Sequence, residues 1–293
     1  MSNRARWTAA DLPDQTGRRW LITGATHGLG LATARLAAAA GATLVLPARN
    51  RARAESVNSE LGRRHEVVDL DLADLGKVRT AAAAIIGGID VLVNNAGSIT
   101  ASRRETADGF EWMLGVNFLG PFAFTNLLAP QVRDRVVIVG SNAHTAARMN
   151  LDDPHFRRRR WRVADAYGAS KLADLLWGLA LERRLRGRGV GVQLTHPGWV
   201  MSNMQNTTGH PRLGRAITVA TTPVAQSAEK SALTTLFAAT MDLPPASYVG
   251  PDGRMHLHGW PSLIGRSAEA SDPRLAERVW QFAVAETGVD LSA

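Results

Sequence analysis

The stretch Arg19-Trp20-Leu21-Ile22-Thr23-Gly24-Ala25-Thr26-His27-Gly28-Leu29-Gly30, followed by Leu31 to Ala40 and then Gly41-Ala42-Thr43-Leu44-Val45-Leu46, decides the fold. Arg19 to Thr23 is a short apolar run that stops at glycines. Leu29 to Ala40 has a helical pattern, Gly41 is placed to end that helix, and Ala42 to Leu46 is a second apolar run. A β-α-β path is thus traced in about thirty residues, the span such a unit needs. The glycines let the backbone turn sharply and let a pyrophosphate approach the helix N-terminus.

The same rhythm continues downstream. Apolar runs at Glu66 to Leu70, Ile89 to Val93, Arg135 to Val139 and Val190 to Thr195 alternate with helical patterns at Leu75 to Ile86, Phe110 to Ala129 and Ala166 to Leu185. Runs without clean alternation suit strands covered on both faces. Alternating β and α elements give an α/β fold: a doubly wound parallel sheet with helices on both faces. After Pro197 the rhythm breaks. Ser202 to Pro223 reads as a polar loop, Ala225 to Thr240 as a helix, and a Gly/Pro-rich tail runs to Pro261. A loop over the C-terminal edge of the sheet is where a substrate lid belongs. The expectation is one domain over 1–293, with a core of about 17–202 and a lid and tail of about 203–293.

Composition narrows the class. The chain has 293 residues, 45% hydrophobic and 20% charged, enough for a substantial core. Its net charge is +8, but the basic residues are scattered except for Arg157 to Arg160, and no DNA-reading motif accompanies them. No nucleic-acid partner is expected. The absence of cysteine excludes disulfides, thiol catalysis and Cys-ligated zinc, and no metal site is read. Met1 to Gly17 has no apolar core of a signal peptide. Leu29 to Ala48, interrupted by Arg35 and Gly41, reads as a buried helix and strand, so no membrane span and a cytoplasmic protein are expected.

The cofactor signal extends beyond the glycines. Folds that choose NAD place an acid at the end of the second strand for the ribose 2′-hydroxyl. Here that place holds Pro47-Ala48-Arg49-Asn50-Arg51. Arg49 can receive a 2′-phosphate, which points to NADP(H), although a solvated arginine is the plainer alternative. His27 either adds a polar contact or is incidental.

Tyr167 and Lys171 lie four residues apart, on one face of a helix. An isolated tyrosine titrates at about 10, and a neighbouring ammonium lowers that value. Tyr167 could then give a proton to a carbonyl oxygen or take one from an alcohol during hydride transfer. By itself the pair is a weak signal, because solvated neighbours share this spacing.

Its company strengthens it. Thr23 to Gly30 reads TGxxxGxG, Asn94-Asn95-Ala96-Gly97 reads NNAG, and Asn117, Ser141, Tyr167-x-x-x-Lys171 and Pro197-Gly198 follow in order. Over about residues 17–202 the chain resembles the short-chain dehydrogenase/reductase family, whose fold is Rossmann-like. Leu46 to Asn50, the insert Asn150 to Asp153 and the tail Tyr248 to Gly253 resemble its retinol-dehydrogenase-like branch. The resemblance implies Asn117, Ser141, Tyr167 and Lys171 as the catalytic group. Ser141 would orient the carbonyl, Lys171 would also hold the nicotinamide ribose, and Asn117 would join a water relay. It further implies cofactor contacts at Gly24, Thr26, His27, Gly28, Leu29, Gly30, Arg49, Asp71, Leu72, Asn95, Ala96, Gly97, Tyr167, Lys171, Pro197, Gly198, Val200 and Ser202. Asp71 competes with a second reading as the cap of the helix that starts at Leu75. The branch is generally NADP(H)-preferring and acts on apolar aldehydes, ketones and alcohols.

Departures from the family pattern are the long Ser141-to-Tyr167 insert, read as a solvated loop, and Ser202 where a threonine is common. Trp199, Met201, Met204 and Leu213 suggest an apolar small-molecule ligand, and His196 reads as structural. A homo-oligomer stays open. So do a non-catalytic NADP(H)-binding sensor or scaffold and a reductase of carbon–carbon double bonds.

Overall fold

The computed structural model describes residues 6–200 and 225–291. The opening β-α-β unit forms as β1 (Arg19–Ile22), α1 (Gly28–Ala39) and β2 (Thr43–Ala48). Then come α2 (Arg51–Glu60), β3 (Glu66–Asp69), α3 (Leu75–Ala84) and β4 (Ile89–Asn94). A short α4 (Trp112–Leu114) runs through a π turn (Gly115–Leu119) into α5 (Gly120–Leu128). After β5 (Val132–Val139) come α6 (Val163–Leu185) and β6 (Gly191–Thr195). The remainder contributes α7 (Ala228–Thr240), β7 (Tyr248–Pro251), β8 (Pro261–Leu263) and α8 (Pro273–Thr287).

The eight strands form one sheet in the order β3-β2-β1-β4-β5-β6-β7-β8, parallel except for the last pair. Alternate strand residues feed opposite cores. Leu21, Val45, Leu92, Val136 and Leu194 face a core completed by α3, α5, α6 and α8 through Val78, Phe122, Trp177 and Trp280. Trp20, Ile22, Leu44, Val91 and Val137 face the other, closed by α1, α2 and α7 through Ala34, Val57 and Leu236. Burial on both faces is why the strands lack an alternating polar pattern. Pro47 is tolerated because β2 pairs with β1 only as far as Val45, whereas Pro47 pairs on the β3 side with Val68.

Several elements were not read from the sequence. Helix α2 buries little more than Ala54 and Val57, too narrow an apolar stripe to stand out, and Asn50 caps it by accepting from Arg53 N. The Gly/Pro-rich tail, to which no strand was assigned, holds β7 and β8, because Tyr248 and Val249 continue the sheet beside Leu194 and Thr195. Helix α8 starts at Asp272-Pro273 and stops at a left-handed Gly288, signals present in the sequence. Residues 225–291 therefore build sheet and helical layers, while the polar loop expected as a lid, Ser202 to Pro223, lies outside the described residues.

The stretch Trp112–Gln131 is long and apolar enough to cross a membrane by length and composition, but 83% of its most apolar window is buried inside the protein. It is a core helix. At its centre a Cβ on Gly120 would lie 2.3 Å from the Leu72 carbonyl oxygen. Gly120→Ala should therefore lose about 1–2 kcal/mol, overpacking exceeding the gain in helix propensity. Urea denaturation checks this, and an unchanged midpoint would refute the close packing.

Candidate active site

The described candidate residues follow the C-terminal ends of β1 to β6, apart from Asn117 in the π turn before α5 and Tyr167 and Lys171 on α6. The crevice between β1 and β4, where strand order reverses, is the place where such sheets take dinucleotides. Thr23, at the end of β1, locks its two walls together. Its hydroxyl accepts from the backbone N–H of Asn95 and of Ala96, both at 3.0 Å, and Asn95 Nδ2 donates to the Thr23 carbonyl at 2.8 Å. Gly24 has φ +70°, and a Cβ there would lie 2.9 Å from Ala96 Cα. Gly30 is as tightly placed, 2.3 Å from the Gly24 carbonyl oxygen by the same measure. The glycines let the loop pack onto the NNAG turn.

Helix α1 starts at Gly28, and its N-cap His27 makes no side-chain cap hydrogen bond. Among the described residues, the first amides of α1, those of Gly28, Leu29 and Gly30, thus have no side-chain acceptor, the arrangement that suits a pyrophosphate. Burial, with a smaller push from Arg53, holds the His27 imidazole below the usual histidine range. His27 therefore offers a neutral ring beside Thr26 (Thr26 Oγ1 to His27 Nδ1, 3.2 Å).

Arg49 is exposed at the end of β2. Beside it, Ala48 pairs with Asp69, the nearest acid in register, and Asp69 is engaged by Arg51 at 3.3 Å. Arg53, which the sequence reading passed over, donates through Nε to the Thr26 carbonyl at 3.0 Å. Asp71 accepts from Ala73 N at 3.1 Å, whereas Asp74 caps α3 by accepting from Lys77 N. The reading of Asp71 as that cap is therefore corrected: three residues separate it from the helix start. Leu72 is buried against Gly120.

Asn117 sits in the π turn, a helical irregularity frequent at functional sites. Its Oδ1 accepts from Ser98 N at 2.7 Å, and its Nδ2 donates to Ser98 O and Ser170 Oγ, each at 3.0 Å. Residue 121 is proline, so the Asn117 carbonyl lacks the N–H that an α-helix would supply four residues on. A Cβ on Gly97 would stand 3.7 Å from Asn117 Oδ1 and 3.8 Å from Lys171 Nζ, so these three residues converge.

Ser141 caps the 3-10 turn Asn142–Ala146, its Oγ accepting from Ala143 N at 3.2 Å. Its hydroxyl proton is given to no acceptor among the described residues. Gly168 lets α6 lie against that turn, because a Cβ there would already be 3.1 Å from Ala143 O and 3.2 Å from Ala147 Cβ. The neighbouring Tyr167 is thereby brought to the Ser141 turn. One helical turn on, Lys171 is buried, its Nζ donating to Val139 O at 3.0 Å and to Asp174 Oδ2 at 2.8 Å. Burial by itself would lower its pKa, but Asp174 and Tyr167 hold it above the ordinary lysine value.

The Pro197-Gly198 turn follows β6. Gly198 has φ +80°, and a Cβ there would lie 2.6 Å from Leu257 O. Gln226 Nε2 donates to Pro197 O at 2.8 Å, and Val200 bridges to Gln226. Nothing in the sequence marked Gln226. Asn142 Nδ2 also donates to Met255 O at 2.9 Å, tying the tail to the turn that Ser141 caps. Ser202, Met201, Met204 and Leu213 lie outside the described residues. His196 is buried, its pKa pushed down to about 3, chiefly by burial. It is neutral.

The insert before Tyr167 is a loop, as read, but not a wholly solvated one: Asp153, His155 and Phe156 are buried. Asp153 accepts from the amides of Arg157, Arg158 and Arg159, and Arg159 stacks over Phe156 at 3.7 Å. His155 is buried between Phe110 and Phe282. The arginine run thus turns around one carboxylate, with Arg157, Arg158 and Arg160 exposed.

Comparison with known proteins agrees with this arrangement. A family model described as short chain dehydrogenase matches residues 18–212. Retinol dehydrogenase 12 of Mus musculus is 33% identical over 288 residues, covering 93% of this chain and 87% of that one. The crystal structure of an uncharacterised protein from Mycobacterium paratuberculosis has a TM-score of 0.85 at 39% identity, over 99% of this chain and all of that chain. A short chain dehydrogenase from Burkholderia cenocepacia J2315, solved in complex with NADP, has a TM-score of 0.63 at 28% identity, over 78% of this chain and 92% of that one. An eight-stranded, mostly parallel sheet, the ordered motifs and these matches lead to one assignment: the chain belongs to the short-chain dehydrogenase/reductase family of oxidoreductases, in its retinol-dehydrogenase-like branch.

Proposed function

We propose that the protein is an NADP(H)-dependent oxidoreductase that interconverts a carbonyl and an alcohol on an apolar small molecule. The observation that carries this reading is the convergence of four side chains. Lys171 is anchored on Val139 O, two residues before Ser141, and interacts with Tyr167. Asn117 is held by Ser98 and Ser170 on the other side.

In this reading NADP(H) lies along the glycine turn, with its pyrophosphate at the start of α1 and its 2′-phosphate at Arg49. Gly24, Thr26, Leu29, Asp71, Leu72, Asn95, Ala96, Gly97, Pro197, Gly198 and Val200 surround it. The cofactor supplies the hydride. Tyr167 donates the proton to the carbonyl oxygen, or takes it from the alcohol. Ser141 turns its free hydroxyl proton to that oxygen and stabilises the developing charge. Lys171 has three N–H donors; two are held by Val139 and Asp174, and the third serves Tyr167 or the nicotinamide ribose. Asn117 offers its carbonyl to a water that returns protons to the site. The NADP-bound Burkholderia relative supports the cofactor choice. A cytoplasmic setting and a single domain over 1–293 go with this reading.

The test is a panel of apolar aldehydes and ketones with NADPH, followed by loss of reduced-cofactor absorbance. Turnover of at least one is expected. Tight NADPH binding with no turnover of any carbonyl or alcohol would replace this reading with the sensor or scaffold.

A further inference from the structure

The buried partner of Lys171 has no place in the chemistry described so far. Asp174 lies three residues beyond the lysine on the same face of α6, its side chain 2% exposed, with Oδ2 2.8 Å from Nζ. Its other oxygen, Oδ1, is buried and accepts no hydrogen bond among the described residues. Buried carboxylates in purely structural pairs need both oxygens satisfied, and even then such pairs add little stability. An aspartate half-satisfied in this way, one bond from the lysine beside Tyr167, is better placed to act on charge.

We propose that Asp174 is the internal counter-ion of Lys171 and sets the protonation balance of Tyr167, keeping Tyr167 a proton donor to higher pH than the lysine alone would allow. The inference rests on the assignment of Tyr167 and Lys171 in the proposed function. Its sign follows from charge. A lone ammonium favours the phenolate, whereas an ammonium paired with a carboxylate favours it less.

Among the described residues, Tyr248, His144 and His196 also face this region, and each is neutral. Tyr248 on β7 interacts with both Asp174 and Tyr167, and burial raises its hydroxyl far above the ordinary tyrosine range. His144, edge-on to the Tyr248 ring, is held below the usual histidine range mainly by burial. His196, next to His144 and His256, is pushed down to about 3. From the π turn comes only the amide of Asn117. Among the described residues, the charges at Tyr167 near neutral pH are therefore those of Lys171 and Asp174. Burial raises the Asp174 carboxyl to about 6, with Lys171 pulling the other way, and its Oδ2 stands 2.8 Å from the ammonium it balances.

The chain makes this measurable without a substrate. It contains two tyrosines, 167 and 248, and the buried Tyr248 stays protonated. Near-ultraviolet tyrosinate absorbance of the full-length protein thus reports Tyr167, with Tyr248→Phe as the control. In Asp174→Asn the absorbance should rise at a pH about one unit lower than in wild type, and Asp174→Glu should restore the wild-type onset. Asp174→Ser, which takes less space, carries the same comparison if the asparagine variant does not fold.

A purely structural role would change the thermal midpoint and leave the tyrosinate onset in place. An unmoved onset, or one moved upward because Lys171 had lost its charge, would overturn the proposal. Since the titration needs neither substrate nor turnover, it separates this inference from the catalytic reading. If Tyr167→Phe is inactive and the onset is unmoved, this inference alone fails. If Tyr167→Phe keeps its turnover, the catalytic reading fails and the proposal falls with it.

Discussion

Tyr167→Phe should bind NADPH as wild type does and lose about 100- to 10,000-fold in kcat, the range general acid–base catalysis supplies. The substitution removes one oxygen and keeps the ring, which packs against the small core of Met113, Phe156 and Ala166. Stability should therefore hardly change, and the loss should appear in kcat and kcat/KM together, as for an interaction made in the transition state. Single-turnover oxidation of NADPH with the best carbonyl of the panel checks it. A variant that keeps turnover within a few-fold of wild type would remove Tyr167 from the chemistry. Ser141 and Lys171 would then need another proton donor, and the second tyrosine, Tyr248, is buried with a strongly raised pKa.

The second large effect concerns the cofactor. Arg49→Ala should weaken NADPH binding by about 10- to 100-fold while leaving NADH almost unchanged. A hydrogen bond to a charged group is worth about 1.5–3 kcal/mol, and each 1.4 kcal/mol is tenfold in affinity. The geometry supports a single dominant arginine. Arg51 is occupied by Glu55 and Asp69, and Arg53 is committed to the Thr26 carbonyl. With Asp69 engaged by Arg51, no unpaired acid among the described residues at the end of β2 opposes a phosphate. Titration of both cofactors into both proteins is the measurement, and equal preference for NADH in each would refute the phosphate role.

Local signals explain what could be read from the chain. A glycine turn between an apolar run and a helix, a tyrosine and a lysine four apart, and arginine where an acid would select NAD are all contiguous or nearly so. Each is a demand of backbone geometry or charge on residue type, so it survives in the sequence. The spacing of Lys171 and Asp174 was equally visible. Three residues on a helix put them on one face, but only the fold buries that face and makes the pair consequential.

Elements without a local demand were lost. Helix α2 needs only Ala54 and Val57 to hold it, and β7 and β8 are strands because Leu194 and Thr195 offer an unpaired edge. Gln226 reaches Pro197 across a stretch of chain that no periodicity connects. The insert before Tyr167 looked like a solvated arginine loop, because the sequence does not show that Asp153 collects three of its amides.

By itself, the sequence determined the doubly wound sheet, the family, and which residues stand at the ends of its strands, because these depend on short-range pattern. Tertiary structure decided how those strand ends meet: Gly168 letting α6 seat Tyr167 against the Ser141 turn, Asn117 and Lys171 converging beside Gly97, and Asp174 enclosed beside the lysine. Such contacts are set by close approach and burial between segments far apart in the chain, and no residue type encodes that distance.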